Sequence, residues 1–233
     1  MSNTLKLIHL FKHCILTVFL LNLIACDSLG MSEQKMLQNA KTYLDNGDLM
    51  AASIELRNTL QKNNENAEAR YLLGSISLKV GDLASAEKEF RRAADAGWSQ
   101  EQVQLELARI LINKKAFQQL LDEIKIVGSW SAETQANILG LRALAEAGVE
   151  NATKAKSTLD EGRALNENAV HILKTTAILQ LAGMLEGDAS STLKTAISLY
   201  PENAEILLLH AANDIQNKNF TRADESYNRV IFK

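Results

Sequence analysis

Small and large apolar residues alternate with polar ones at helical spacing from Glu33 onward. Small residues recur about every 34 positions, where two helices must approach closely: Ala40, Gly74, Ala108, Gly140, Thr176 and Ala211. Further alanines are each followed four residues later by a large side chain: Ala52 by Leu56, Ala86 by Phe90 and Ala223 by Tyr227. Because residues i and i+4 share one face of a helix, this pattern predicts pairs of packed helices.

The chain aligns with itself at a fixed offset, so that Gly47-Asp48 falls on Gly81-Asp82. We place six copies, at 33–66, 67–100, 101–132, 133–168, 169–203 and 204–233. Extra residues near 148–154 in copy four and near Gly187 in copy five are expected in turns. Three asparagines stand before first helices and are expected to cap them: Asn66, Asn168 and Asn203. Since one hairpin buries too little apolar surface to be stable alone, we expect the copies to stack into one domain over 33–233.

The second copy, Ala67 to Gln100, resembles the tetratricopeptide repeat (TPR). It matches the family pattern at Leu73-Gly74, Ala86, Phe90 and Ala93. It departs from the pattern where Arg70 stands for tryptophan, Ser77 for tyrosine and Trp98 for proline. The resemblance implies an all-α fold, a solenoid of helical hairpins wound into a right-handed superhelix.

The first 25 residues are typical of a secretory leader. Lys6 and Lys12 precede an apolar run over 15–25 that is shorter than the roughly 20 residues of a membrane span. A short anchor left in place is the alternative interpretation. The sequence Leu23-Ile24-Ala25-Cys26 resembles the lipobox of bacterial lipoproteins, which implies cleavage after Ala25, acylation of Cys26 and a spacer over 26–32. Asp27 resembles the residue that retains many such proteins at the inner membrane.

Composition and charge narrow the function. The chain has 46% hydrophobic and 23% charged residues, one proline and a net charge of -3, which fits an all-α globular protein and gives no basic footprint for nucleic acid. Loss of the leader with Lys6 and Lys12 leaves 23 basic against 28 acidic residues, a balance of -5. An acidic chain at an anionic bilayer is therefore expected to depend on its lipid, not on a basic patch.

Candidate chemistry is sparse in the mature sequence. His171 and His210 lack the spacing of a zinc site, and no cysteine is left to join them. No glycine-rich phosphate loop, no nucleophile elbow and no Ser/His/Asp set is apparent. We therefore predict neither an enzyme nor a bound metal or cofactor.

The resemblance also implies a concave wall built mainly from the first helix of each copy. Its usual groove positions fall on these residues in copies one to three: Leu37, Lys41, Leu44, Tyr71, Ser75, Lys79, Leu105, Arg109 and Asn113. In later copies they fall on Leu141, Leu173, Ala177, Leu208 and Ala212. Such a wall suits a protein segment with an acidic and an apolar end, although several leucines fit interhelical packing equally well. Leu37, Leu72 and Gln102 stand where the carboxylate-clamp subset needs lysine or asparagine, so that subset is rejected.

The region from Met36 to Ile124, together with the lipobox, resembles TPR lipoproteins of the PEP-CTERM/exosortase system. This resemblance implies a membrane-tethered periplasmic scaffold that binds partner proteins in exopolysaccharide production and protein sorting. Two alternatives stay open: an outer-membrane assembly or pilus-biogenesis lipoprotein, and the docking arm of a longer enzyme. The last copy stops at Lys233 with no polar capping helix, so we expect a longer array or a partner that covers this end.

Overall fold

The computed structural model describes residues 31–231, and over that range the chain forms twelve helices and no strand. The predictions on the leader, on Cys26 and on most of the spacer lie outside these residues. No helix within 31–231 combines the length and the apolar character of a membrane span. The helices are α1 Glu33–Asp45, α2 Leu49–Lys62, α3 Ala67–Lys79, α4 Leu83–Asp95, α5 Gln100–Asn113, α6 Phe117–Glu123, α7 Ala132–Gly148, α8 Ala152–Asn166, α9 Val170–Leu181, α10 Ala189–Leu199, α11 Ala204–Gln216 and α12 Phe220–Ile231.

The described residues divide into two compact units, which we call the N-terminal unit (31–69) and the C-terminal unit (70–231). In the N-terminal unit, Ala40 of α1 and Ala52 of α2 are fully buried, and Leu56 lies one turn after Ala52. Asp48 caps α2 by accepting a hydrogen bond from the Ala51 amide at 2.9 Å. The small-residue pattern therefore forms the predicted helix pair.

In the C-terminal unit each first helix is followed by a second helix: α3 by α4, α5 by α6, α7 by α8, α9 by α10 and α11 by α12. A central cluster of fully buried side chains includes Phe90, Ile110, Leu120 and Ile138. The small residues predicted at helix contacts are buried here: Gly74, Ala86, Ala108, Gly140, Thr176, Ala211 and Ala223. The predicted all-α fold of helical hairpins is confirmed.

The turns lie at the predicted insertions, and two of the three predicted asparagine caps are present. The extra residues of copy four form the turn between α7 and α8, and Gly187 has a positive φ of 116° just before α10. Asn66 and Asn203 accept hydrogen bonds from amides three residues on, as expected of caps. The prediction is wrong for Asn168, because α9 begins one residue later and its N-cap, Ala169, has no side chain able to accept a hydrogen bond.

Removing one side-chain cap tests this account of the helix ends. Asn151 caps α8 by accepting a hydrogen bond from the Lys154 amide at 3.1 Å. We expect Asn151→Ala to lower the free energy of unfolding by about 1 kcal/mol, measured by urea titration of the helical circular dichroism signal. Asn151→Asp keeps the acceptor and adds a favourable charge at the helix start, so it should be at least as stable as the parent. Equal losses in the two variants would contradict the capping role.

Candidate functional site

A cavity of about 360 Å³ opens on the first helices of four successive hairpins in the C-terminal unit. We call it the first-helix pocket. Helices α5, α7, α9 and α11 line it, and none of the second helices contributes a lining residue. The lining residues are Arg109, Ile112, Asn113, Leu141, Leu144, His171, Lys174, Thr175, Ile178, Glu205, Leu208 and Leu209.

The periodicity of α9 explains which of its side chains face the pocket. His171, Lys174, Thr175 and Ile178 are spaced i, i+3, i+4 and i+7, which places them on one face of a helix. The residues between them, such as Ile172 and Ala177, are buried. One face of α9 therefore forms pocket wall, and the others form core.

Helices α7 and α9, which both line the pocket, pack closely against each other. A Cβ on Gly140 would lie 2.7 Å from the backbone carbonyl atoms of His171. Thr175 Oγ1 donates a hydrogen bond to the Gly140 carbonyl at 2.9 Å, and the His171 amide donates to Asn137 Oδ1 at 2.9 Å. Because these contacts join side chains to backbone, they hold the two helices in one register.

Two cations lie in the pocket, and each has a carboxylate partner. Arg109 Nη1 lies 2.7 Å from Oε2 of Glu106, whose pKa is raised by burial. Lys174 forms an ion pair with Glu205; its side chain is only 12% exposed, whereas that of Glu205 is 52% exposed. Burial, and then the charge of Arg109, lower the pKa of Lys174 from 10.5 to about 8. The solvated carboxylate of Glu205 does not offset these two effects.

His171 contributes a neutral ring to the same pocket. Burial, followed by the charges of Lys174 and Arg109, lowers the pKa of His171 well below its ordinary value of 6.5. The imidazole is therefore uncharged at neutral pH and offers one donor and one acceptor. Together with the walls of leucine and isoleucine, these groups suit recognition of a polar or anionic group carried on an apolar ligand.

The cost of burying Lys174 is measurable. Its ammonium is disfavoured in the folded chain, so Lys174→Met should raise the free energy of unfolding at pH 7 by about 2 kcal/mol. The folded pKa lies below the unfolded one. Unfolded chains therefore bind more protons between about pH 8 and 10.5, and the parent gains stability relative to the variant over that range.

Thermal unfolding of the parent and of Lys174→Met should accordingly differ most at or below pH 7 and converge toward pH 10.5. Lys156→Met is the matched control, because Lys156 is exposed on α8 and forms no ion pair with the described residues. A Lys174→Met protein less stable than the parent at pH 7 would contradict the unfavourable burial.

The nine predicted groove residues lie in different surroundings, and only two of them line the first-helix pocket. Leu37, Lys41 and Leu44 lie half-buried on α1 of the N-terminal unit, where Lys41 pairs with Glu68 at 2.7 Å. Tyr71 packs against the core through Phe90 and Trp98, with ring centroids 5.3 and 5.0 Å away.

The other predicted residues lie on α3 and α5. Ser75 donates a hydrogen bond to the carbonyl of Tyr71, Lys79 is exposed, and Leu105 packs on the central cluster. Arg109 and Asn113 alone among the nine line the first-helix pocket. The use of the whole set as a binding groove stays a prediction.

In the later copies the pocket differs from the predicted wall. Leu141 and Leu208 line it as predicted, but Leu173 and Ala177 are buried in the core. Lys174 and Ile178, each one residue further along α9, take their place. A shift of one residue turns a side chain by about 100° around a helix, so neighbouring positions of α9 lie on different faces. Ala212 is exposed and does not line the pocket.

A second polar cluster brings together residue types that the sequence did not place side by side. His210 Nδ1 lies 3.0 Å from Ser226 Oγ and 3.2 Å from Oδ2 of the buried Asp214, while Nε2 lies 3.3 Å from Arg222. A serine-protease relay needs the hydroxyl and the carboxylate on opposite ring nitrogens. Here both approach Nδ1, so this geometry is not a relay. No group of three or more His, Cys, Asp or Glu within 31–231 could hold a metal ion.

Comparison with known proteins agrees with this architecture. Residues 37–101, which cover most of the first two sequence copies, match the tetratricopeptide repeat family. No curated protein matches the sequence.

Several solved structures have a similar fold. PilF of Pseudomonas aeruginosa is 19% identical, with a TM-score of 0.55 over 85% of this chain and 91% of that one. PilW, described as a widely conserved type IV pilus biogenesis factor, is 19% identical, with a TM-score of 0.56 over 87% and 94%. A TPR protein of Parabacteroides merdae is 18% identical, with a TM-score of 0.54 over 87% and 80%. Residues 37–101 therefore match the tetratricopeptide repeat, and the described helices as a whole have a fold similar to that of solved tetratricopeptide-repeat proteins.

Proposed function

We propose that the chain is a membrane-tethered scaffold that binds a segment of a partner protein in the first-helix pocket. The observation that carries this proposal is the arrangement of the pocket: four successive first helices supply all of its walls. The lining consists of six apolar and six polar side chains, and a concave site with apolar walls and convergent polar groups is typical of ligand binding. A volume of about 360 Å³ accommodates a few side chains of a docked segment and not a folded domain.

The proposed partners belong to an exopolysaccharide/exosortase protein-sorting system. This assignment is supported by the resemblance of residues 36–124 and by the lipobox-like sequence at Cys26. A lipid on Cys26 would hold the scaffold at the periplasmic side of the envelope, with Asp27 favouring the inner membrane. Cys26→Ser is expected to release the protein from the membrane fraction, whereas Cys14→Ser, within the proposed leader, should leave fractionation unchanged.

Pilus biogenesis is the second candidate function. It is favoured by the likeness of fold to PilW, over 94% of that chain. Under this second proposal the lipid on Cys26 would hold the protein at the outer membrane. The two candidates predict different partners and different membranes. Separation of inner and outer membranes by density, followed by detection of the acylated protein, distinguishes them.

Photo-crosslinking in the native host tests the scaffold proposal directly. A photoreactive phenylalanine analogue replaces Leu208 in the pocket or, as a control, Leu165 on the second helix α8. The two leucines are 42% and 41% exposed, so accessibility is matched. We expect a discrete adduct from position 208 and none from 165, and mass spectrometry of the adduct identifies the partner system. No adduct at 208, or equal adducts at both positions, would argue against binding in the pocket.

A further inference from the structure

We infer that the first-helix pocket recognises an acidic side chain flanked by apolar residues, and that Glu205 occupies the place of this carboxylate until the ligand displaces it. The inference rests on the proposed function and names the chemistry of the bound segment. It is drawn from the placement of Lys174, Arg109 and Glu205 in the pocket.

Lys174 is a charged group in a place that favours an apolar one. Its side chain is 12% exposed, the pocket it lines also carries leucine and isoleucine side chains, and the charge of Arg109 acts against its own. Burial of an ammonium in such surroundings destabilises a fold unless a carboxylate compensates it. Residues that reduce stability are concentrated at functional sites, which points to a ligand that uses this charge.

Glu205 is a weakly held partner for that ammonium. It lies in the first turn of α11, and 52% of its side chain faces solvent. A half-exposed carboxylate can turn into water at little cost, because exposed ion pairs contribute little to stability. Its exchange for a ligand carboxylate keeps Lys174 paired throughout, so the pocket never has to hold an unpaired buried charge.

Arg109 supplies a second point of attachment. One terminal nitrogen of its guanidinium lies 2.7 Å from Glu106, and the group offers five N–H donors in all. Arg109 and Lys174 lie on α5 and α9, the first helices of copies three and five. The neutral ring of His171 adds a hydrogen-bonding group between apolar walls.

The charges around the pocket favour a carboxylate over a phosphate. Glu106 and Glu205 already balance the two cations, so displacing Glu205 makes room for one negative charge. A dianionic phosphate would bring an excess charge into apolar surroundings beside Glu106, which is unfavourable. Leu141, Leu144 and Leu208 suit apolar neighbours of the acidic residue.

Fluorescence anisotropy with two blocked, dye-labelled peptides tests the inference on the full-length acylated protein in detergent micelles. The peptides read Leu-Ala-Glu-Leu-Ala-Leu and Leu-Ala-Gln-Leu-Ala-Leu, with acetylated and amidated ends. At pH 7 we expect the glutamate peptide to bind about tenfold more tightly, because charge-assisted hydrogen bonds are about twice as strong as neutral ones. Equal binding of the two peptides, or no binding of either at 1 mM, would overturn the inference.

Matched variants assign the effect to the pocket. Lys174→Met should abolish the tenfold preference, and the control Lys156→Met on α8 should retain it. Glu205→Gln should strengthen binding of the glutamate peptide severalfold by removing the competing carboxylate, whereas Glu161→Gln on α8 should not. A preference that survives Lys174→Met would refute the assignment. Loss of affinity in Glu205→Gln would refute the displacement.

The pH dependence gives an independent readout. The charged and titratable groups that share the pocket with Lys174 are Arg109 of α5, His171 of α9 and Glu205 of α11. Glu106 of α5 pairs with Arg109, and the lining residues of α7 do not titrate. Lys174 is protonated at pH 7 and loses its proton above about pH 8. Raising the pH to 9.5 should therefore weaken binding of the glutamate peptide and leave the glutamine peptide unchanged. A preference unchanged at pH 9.5 would contradict a role for the ammonium.

Two further results distinguish a side-chain carboxylate from a chain terminus, and the carboxylate subsite from the proposed scaffold function. The glutamine peptide is also tested with a free carboxyl terminus. If it then binds as tightly as the glutamate peptide, the pocket recognises a chain terminus, and the side-chain assignment is overturned. Tight glutamate binding without any adduct at position 208 in cells would defeat the scaffold function and keep the subsite. If instead the adduct yield is unchanged by Lys174→Met and neither peptide is preferred, the scaffold function would stand and the carboxylate subsite would be refuted.

Discussion

Phe90→Ala is expected to lower the free energy of unfolding of the C-terminal unit by about 3–5 kcal/mol. Phe90 is fully buried on α4, and its ring lies 5.3 Å from that of Tyr71. Its Cδ1 would lie 3.0 Å from a Cβ on Gly74, so the ring fills the space that this glycine leaves. Alanine would leave a cavity between α3 and α4 that close packing elsewhere in the cluster prevents from collapsing.

Urea unfolding followed by circular dichroism measures this loss as a lower midpoint. The matched control is Phe220→Ala, because Phe220 is 65% exposed at the start of α12 and should change the free energy of unfolding by less than about 0.5 kcal/mol. Similar midpoints for the two variants would mean that Phe90 is not part of a closely packed core.

The departures from the family pattern in copy two have a structural explanation that sequence alone does not provide. Arg70, where the family has tryptophan, forms a largely buried ion pair with Glu89 of α4 at 2.7 Å. Trp98, where the family has proline, stacks on Tyr71 at 5.0 Å. The Ser77 hydroxyl, where the family has tyrosine, donates a hydrogen bond to the carbonyl of Leu73 at 2.9 Å. In copy two a tryptophan therefore packs at the end of the hairpin, and a charge pair joins α3 and α4.

The helix pairs could be predicted because their determinants are local. A small residue at a fixed position of each first helix, such as Gly74 or Ala108, is required wherever two helices approach closely, and the structure buries both. The same reasoning holds for Ala86 followed by Phe90 on α4. Such patterns depend on the helical period within one hairpin and need no knowledge of the rest of the fold.

The candidate site could be predicted only in part, because it depends on register between hairpins. Arg109 and Asn113 lie in regularly spaced copies and fall in the pocket. Lys174 was not predicted, because the groove positions carried over from the family fall on Leu173 and Ala177 of α9 instead. Its ion pair with Glu205 joins copies five and six, and no repeat pattern encodes a contact between two particular copies.

Stability and recognition place opposite demands on α9. The side chains that turn toward α7 and the core, such as Ile172 and Ala177, are apolar and fully packed. The adjacent face carries Lys174 and His171, whose charged forms are both disfavoured by burial. Substitution of Lys174 by methionine is expected to stabilise the fold and to abolish carboxylate binding. This one change should therefore move stability and binding in opposite directions.

Gly140→Ala is expected to destabilise the C-terminal unit by about 3 kcal/mol, although alanine is the better helix former by about 1 kcal/mol. Its Cβ would lie 2.7 Å from the carbonyl carbon and oxygen of His171 and 2.9 Å from the amide nitrogen of Ile172. These atoms belong to the backbone of α9, so no side chain can turn away to make room. The variant can relieve the overlap only by moving α7 and α9 apart.

That separation would stretch the hydrogen bond from Thr175, a lining residue of the first-helix pocket, to the Gly140 carbonyl. Thermal unfolding should therefore show a lower midpoint, and the glutamate peptide should bind more weakly. Gly128→Ala is the matched control, because a Cβ there meets no atom within 4 Å and the backbone needs no positive φ. A Gly140→Ala protein as stable as Gly128→Ala would show that α7 and α9 do not require a glycine at their crossing. The position of Lys174 in the pocket would then not depend on the contact of Gly140 with the α9 backbone.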